Sequence, residues 1–397
     1  MSLNSTVLLD RFAGVLLGVA IGDALGAPTE AKDPHEIRQR FGGPIDDFAE
    51  PWAPRPDGRH KGDARVTDDT LMTIALCRAY LARGARLEPH DLPGYLIPLL
   101  ADEPTYVPEY GREMKLVERL FHPEKYLVLR LRLASADPRE AGVGNAVNCG
   151  AAMYSAPVGL MHAGDALGAY YDAIALAGAH QTSYGREAAA IQAACVAEAV
   201  RPSATWESVV ACALHLAKDG TRDAIQVVTD CARTLQQREH DSLDVVAALR
   251  EAMLPYDTVK GHVQDYAAYS RYPSRVHAIE EVPLALGYLV QTRGDFRRAV
   301  LGAANYGRDC DSIAGMVGAM AGGLVGLTAL PSGWVARIAD ANRLDLPELA
   351  ERMLGLFDRI YADERARAEV REREFSAGST SNGLDRIPST GEDTVRA

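Results

Sequence analysis

The chain has 397 residues, 47% of them hydrophobic and 24% charged, with a net charge of −12. That length and balance suit a globular protein of one large domain or two ordinary ones. The negative charge excludes a general nucleic-acid-binding surface, which needs basic groups for phosphates. It leaves room for a single bound nucleotide, whose phosphates backbone amides or a metal can hold.

In chain order, the first predicted helix carries Gly14, Gly18, Gly22 and Gly26 in GVLLGVAIGDALG, with Asp23 and Glu30 flanking its end. Residues four apart share a helix face. Each glycine costs ~0.5–1 kcal/mol relative to alanine, so four in register predict close backbone approach by a neighbouring helix. A loop over 33–65 follows, with five prolines (34, 44, 51, 54, 56). VTDDTLMTIALCRAYLAR then predicts a helix over 71–83, stopped at Gly84. A second turn-rich loop spans 137–150. Amphipathic, Ala-rich stretches predict helices over 165–179, 186–200 and 206–217. Further helices are expected over 243–253, 282–292, 296–305 and 346–361.

Between the last two lies 313–330, free of charge and long enough for a membrane span. It is Gly- and Ala-rich, follows two aspartates, and repeats the first helix's ladder at Ala314, Gly318, Gly322 and Gly326, so it reads as a buried helix. Period-two strand signals are nearly absent. From 375 the composition turns to Ser, Thr, Gly and charge, which predicts a disordered tail over 375–397. With no repeat and no linker, residues 1–374 read as one all-α domain. The six cysteines (77, 149, 195, 212, 231, 310) show no C-x-x-C pair or histidine spacing. With no secretory signal in MSLNSTVLLDR, a reduced, cytoplasmic setting is expected.

Two acidic clusters carry the chemistry: Thr67-Asp68-Asp69-Thr70 and Asp309-Cys310-Asp311-Ser312. Each taken alone reads as a helix cap, since Thr and Asp cap helices and acids suit a first turn. Taken together, four carboxylates and several hydroxyls are the donor set of a hard divalent cation. An EF-hand is excluded, because Ala314 and Met320 stand where the loop needs Gly and Glu.

Six ordered segments complete the pattern: GVLLGVAIGDALGAPTE, VTDDTLMTIAL, GVGNAVNCGAAMYSAPVG, AHQTSYGREAAAI, EEVPLALG and NYGRDCDSIAGMVGAMAGG. They resemble the signature segments of the ADP-ribosylglycohydrolase family (dinitrogenase-reductase-activating glycohydrolase-like) from about residue 10 to 330. The resemblance implies a compact, single-domain orthogonal helix bundle holding two Mg²⁺ or Mn²⁺ ions. It implies a hydrolase that cleaves the N- or O-glycosidic bond of an ADP-ribosylated protein, nucleic acid or small molecule and releases ADP-ribose. No membrane partner is implied.

By motif, Thr67, Asp68, Asp69, Asp309, Asp311 and Ser312 match the metal positions. Glu30, Asp309 and Asp311 match the groups that would assist a water attacking the anomeric carbon. His180 matches a histidine beside the ribose. The diphosphate would lie on backbone amides of the loop 142–150, in either of two registers: Gly144-Asn145 or Asn148-Cys149-Gly150. Two positions depart from the family pattern: Arg308, a cation able to grip phosphate or carboxylate, and Tyr154, where arginine is common. Two other readings stand beside this one. One is a hydrolase of a small N-ribosyl metabolite; the other is a catalytically silent ADP-ribose-binding relative, which should have lost its metal-position oxygens.

Overall fold

The protein, described by a computed structural model over residues 3–51, 58–256 and 276–379, divides into units 1–357 and 358–397. Among the described residues of the first unit, helices dominate, and one short antiparallel hairpin pairs Pro104–Val107 with Arg112–Lys115. Its four-residue strands are too short for a legible alternation. In the second unit, residues 358–379 are helical, the final part of the Leu346–Ser379 helix. The tail expected from 375 therefore starts within a helix, and 380–397 lie outside the described residues.

The predicted helices are present with small shifts of their ends, at Asp68–Arg83, Ala166–Ala177, Ser183–Ala199, Trp206–Leu216, Leu243–Met253 and Phe296–Ala304. The one expected over 282–292 begins earlier, as Val276–Gln291. A helix at Asp219–Thr234 has no predicted counterpart. It opens on Asp-Gly, a turn signal, and is rich in β-branched residues. Burial of Ala224, Ile225, Val228 and Ala232 along one face supplies what local propensity lacks.

The two glycine ladders meet. The Leu3–Gly26 and Cys310–Val325 helices run antiparallel, pairing Gly14 with Gly322, Gly18 with Gly318, Gly22 with Ala314 and Gly26 with Asp311. At each pair a β-carbon on the first residue would collide with backbone of the second. Such proximity gives backbone-to-backbone dispersion and Cα–H···O contacts that larger residues forbid. Segment 5–26 is long and apolar enough by composition to cross a membrane, with mean hydropathy 1.6. In this structure it is a core helix, with Phe12, Leu16, Ile21 and Leu25 buried. The expected helix over 313–330 ends at Val325, because Gly326 turns away at φ +79. The last rung, Gly26 against Asp311, sets the end of one ladder against the second acidic cluster.

Candidate active site

Helix starts 68 and 310 converge on the end of the Leu3–Gly26 helix. If Thr67 were simply a cap, its hydroxyl would accept from the helix's own amides, and it does not. Asp23 supplies that bond from outside: its Oδ2 accepts from Thr67 N (2.9 Å), Thr70 N (3.2 Å) and Thr70 Oγ1 (2.6 Å). Thr67 Oγ1 is left buried with no hydrogen-bond partner, as are Asp69 Oδ1 and Asp23 Oδ1. Asp309 likewise precedes its helix without a side-chain capping bond, and its Oδ2 accepts instead from the Cys149 thiol at 3.0 Å. A tight turn with Gly307 at φ +73 and Arg308 at φ +56 leads into it, held by Ala31 N donating to Arg308 O at 2.7 Å.

Carboxylate oxygens of Glu30, Asp309 and Asp311 lie within 4.8 Å of one another. They line a cavity of about 270 Å³ together with Asp68, Asp69 and Ser312. Burial raises the carboxyl pKa values of Asp69 and Asp311 well above the ordinary range, and neighbouring acids (Asp23 beside Asp69, Glu30 beside Asp311) raise them further. Burial also raises Asp68, against the pull of Arg119. Hard oxygen donors at this density, with Thr67 Oγ1 and Asp69 Oδ1 buried and without a partner, fit a divalent cation with oxygen ligands.

Two side-chain cations, neither singled out from sequence, already stand in this acid cluster. Lys61 is buried and pairs with Glu30, and its Nζ lies 3.4 Å from Asp311 Oδ2. Burial alone would lower the Lys61 pKa; Glu30 and Asp311 more than reverse it, and the ammonium is retained. Arg119 is buried too, with Nη1 2.7 Å from Asp68 Oδ1 and Nε bonded to Glu109. The sequence around each, HKGD and VERLF, reads as an ordinary polar loop and an ordinary helix turn. Their partners arrive only through the fold.

Facing the acids are Phe121, Glu124 and the 146–150 segment. Of the two loop registers, Asn148-Cys149-Gly150 lies on the cavity wall, while Gly144 and Asn145 do not line it. The Asn145 side chain is engaged structurally, donating to Pro123 O (2.9 Å) and His180 O (2.8 Å). The free amides expected at Asn148 and Gly150 are instead occupied, donating to Gln181 Oε1 (3.2 Å) and Asn148 Oδ1 (3.0 Å). What Gly150 offers a ligand is a bare surface, since a β-carbon there would crowd Glu124 and lie 3.1 Å from His180 Cε1. His180 stands behind this wall, stacked on Tyr154 at 5.8 Å, with Nδ1 3.1 Å from the Tyr154 hydroxyl. Burial lowers its pKa to about 4, which keeps the ring neutral. Arg308 is directed elsewhere, its Nη1 2.5 Å from buried Glu280 Oε1, and it does not line the cavity.

The sequence profile of the family described as ADP-ribosylglycohydrolase matches residues 4–365. The chain belongs to the ADP-ribosylglycohydrolase family. ADP-ribosylarginine hydrolase Tri1 of Pseudomonas putida (strain GB-1) is 26% identical over 365 residues, 88% of this chain and 79% of its own. ADP-ribosylhydrolase ARH3 of Bos taurus is 26% identical over 336 residues, 82% and 88% of the two chains. A solved ADP-ribosylglycohydrolase-related protein complex superposes with a TM-score of 0.55 at 22% identity, covering 89% of this chain and 99% of that one, and supports the fold.

Proposed function

We propose that this ADP-ribosylglycohydrolase is a divalent-metal-dependent enzyme that releases ADP-ribose from an N- or O-linked substrate, with two Mg²⁺ or Mn²⁺ ions as its complement. The observation that carries the reading is the buried, unpaired Oδ1 of Asp69, a residue that lines one cavity with the Glu30, Asp309 and Asp311 carboxylates, together with the buried, unpaired Thr67 Oγ1 two residues before it in the chain. Thr67, Asp68, Asp69, Asp309, Asp311 and Ser312 would hold the ions. Bound there, divalent ions supply positive charge that orients ribose hydroxyls and lowers the pKa of water.

The chain's own groups do the rest. Positive charge builds on the ribose ring as the glycosidic bond breaks, and the surrounding carboxylates stabilise it. Glu30, Asp309 or Asp311 accepts the proton of the attacking water, each being on the cavity wall. The diphosphate lies along 148–150, where Gly150 gives it room, and neutral His180 behind that wall fixes Tyr154 and the loop. The substrate is an ADP-ribosylated protein or small molecule.

A panel of ADP-ribosyl-arginine, ADP-ribosyl-serine, O-acetyl-ADP-ribose and free ribosides, with and without chelator, tests this. Chelator-sensitive release of ADP-ribose from at least one ADP-ribosyl compound is expected. Turnover of free ribosides alone points to the small-metabolite reading; no chelator-sensitive turnover of anything overturns the proposal.

A further inference from the structure

Lys61 is 5% exposed, and both of its ion pairs are with the acid cluster: Glu30, 31 residues before it, and Asp311, 250 residues after it. Its Nζ also lies 5.9 Å from the centroid of Phe121, a cavity-lining ring. Arg119 differs, because its Nε is bonded to Glu109, which is not a cavity-lining carboxylate, so its charge is partly met outside the cluster. Lys61 therefore draws on Asp311, which a divalent ion would need, and on Glu30 beside it.

We propose that Lys61 is a tethered cation that competes with the metal: it holds Glu30 and Asp311 together in the metal-free protein and weakens divalent-ion binding at that edge. The inference rests on the proposed metal dependence of the site. A buried ammonium gains its compensation from nearby carboxylates, and losing that share is costly. A divalent ion held by Asp311, with Glu30 close by, takes part of the share and repels the ammonium at short range. Linkage makes the effect mutual, so whatever Lys61 contributes to the metal-free state it subtracts from metal affinity. Two consequences of opposite sign follow. Removing the charge should lower the stability of the metal-free protein and raise its affinity for the ion. A residue that merely supported the site would lower both when removed, and a bystander would change neither.

The test uses the full chain, with Mn²⁺ as probe, and compares wild type with Lys61→Met, Lys61→Gln and the charge-keeping Lys61→Arg. Mn²⁺ binding is read by electron paramagnetic resonance of the free ion, and stability by thermal unfolding in chelator. We expect Lys61→Met and Lys61→Gln to bind Mn²⁺ about tenfold tighter or more. Their Tm in chelator should fall by about 2–6 °C, with Lys61→Arg close to wild type in both. Unchanged or weaker Mn²⁺ binding in the neutral variants overturns the inference while leaving the metal site standing. So does failure of both neutral variants to fold even with Mn²⁺. Absence of Mn²⁺ binding by wild type defeats the metal reading itself, and this inference with it.

Discussion

Gly18 and Gly318 face each other reciprocally: a β-carbon on either would collide with the other's carbonyl oxygen. The obstacle is backbone on both sides, which cannot rotate away as a side-chain end can. Alanine at either position gains up to ~1 kcal/mol of helix propensity and loses more to overpacking. Gly18→Ala or Gly318→Ala should destabilise the protein by a net ~1–3 kcal/mol, read by denaturant unfolding. Two variants at wild-type stability would show that the helices separate freely.

Asp311→Asn keeps the shape of a cluster carboxylate and removes its charge. Burial and Glu30 disfavour the ionised form there and Lys61 favours it, so the opposing effects should leave Tm in chelator within a few degrees of wild type. Release of ADP-ribose should fall by ~10²-fold or more. Full activity with a lowered Tm would make Asp311 a structural group instead.

Burial pushes the Glu124 carboxyl up to about 8, with Asp68 adding to the rise. A carboxyl raised in the native state binds more protons there than in the unfolded chain, so stability falls as pH rises. The window runs from the ordinary glutamate value, ~4.3, to about 8. His180, held near 4 by burial, acts in the opposite sense below its ordinary value of ~6.5. The clean range is therefore from about pH 8.5 down to about 6.5. Across it, Tm in chelator should increase as pH is lowered, and Glu124→Gln should flatten the trend. A wild-type profile that is level or inverted contradicts this account.

Arg308 spends its charge on Glu280, which also accepts from the Tyr306 hydroxyl at 2.6 Å. Arg308→Ala should cost ~1–3 kcal/mol of stability by depriving a buried carboxylate of its cation. KM for an ADP-ribosyl substrate should stay within about twofold. A large rise in KM at unchanged stability would return Arg308 to ligand binding.

What was legible in the sequence was what local chemistry encodes. The glycine ladders announced a close helix contact because period four is a property of one helix, although only the fold shows that the two ladders are each other's partners. Thr67, Asp68, Asp69, Asp309 and Asp311 were legible as oxygen donors by type. That Thr67 and Asp309 do not act as ordinary caps became visible only through Asp23, which caps the first cluster's helix from another helix, and Cys149, which engages Asp309. Lys61, Arg119 and Glu124 carried no local signal, since each is defined by partners brought in from elsewhere in the chain. The amide of Asn148 looked available because its acceptor, Gln181, lies 33 residues away, whereas Gly150 N is taken by the Asn148 side chain.

The pairing of the Leu3–Gly26 helix with Cys310–Val325 also bears on how the chain is made. The first helix emerges from the ribosome roughly 300 residues ahead of the surface that covers its glycine stripe. At ~5–20 residues per second that interval is ~15–60 s. During it, one of the most apolar segments of the protein has no native partner for that face. Its final docking is a contact of very high sequence separation, which places site assembly late in folding. A nascent chain truncated before residue 310 should accordingly expose this helix to chaperones or aggregation, and a carboxy-terminal fragment supplied in trans should bury it.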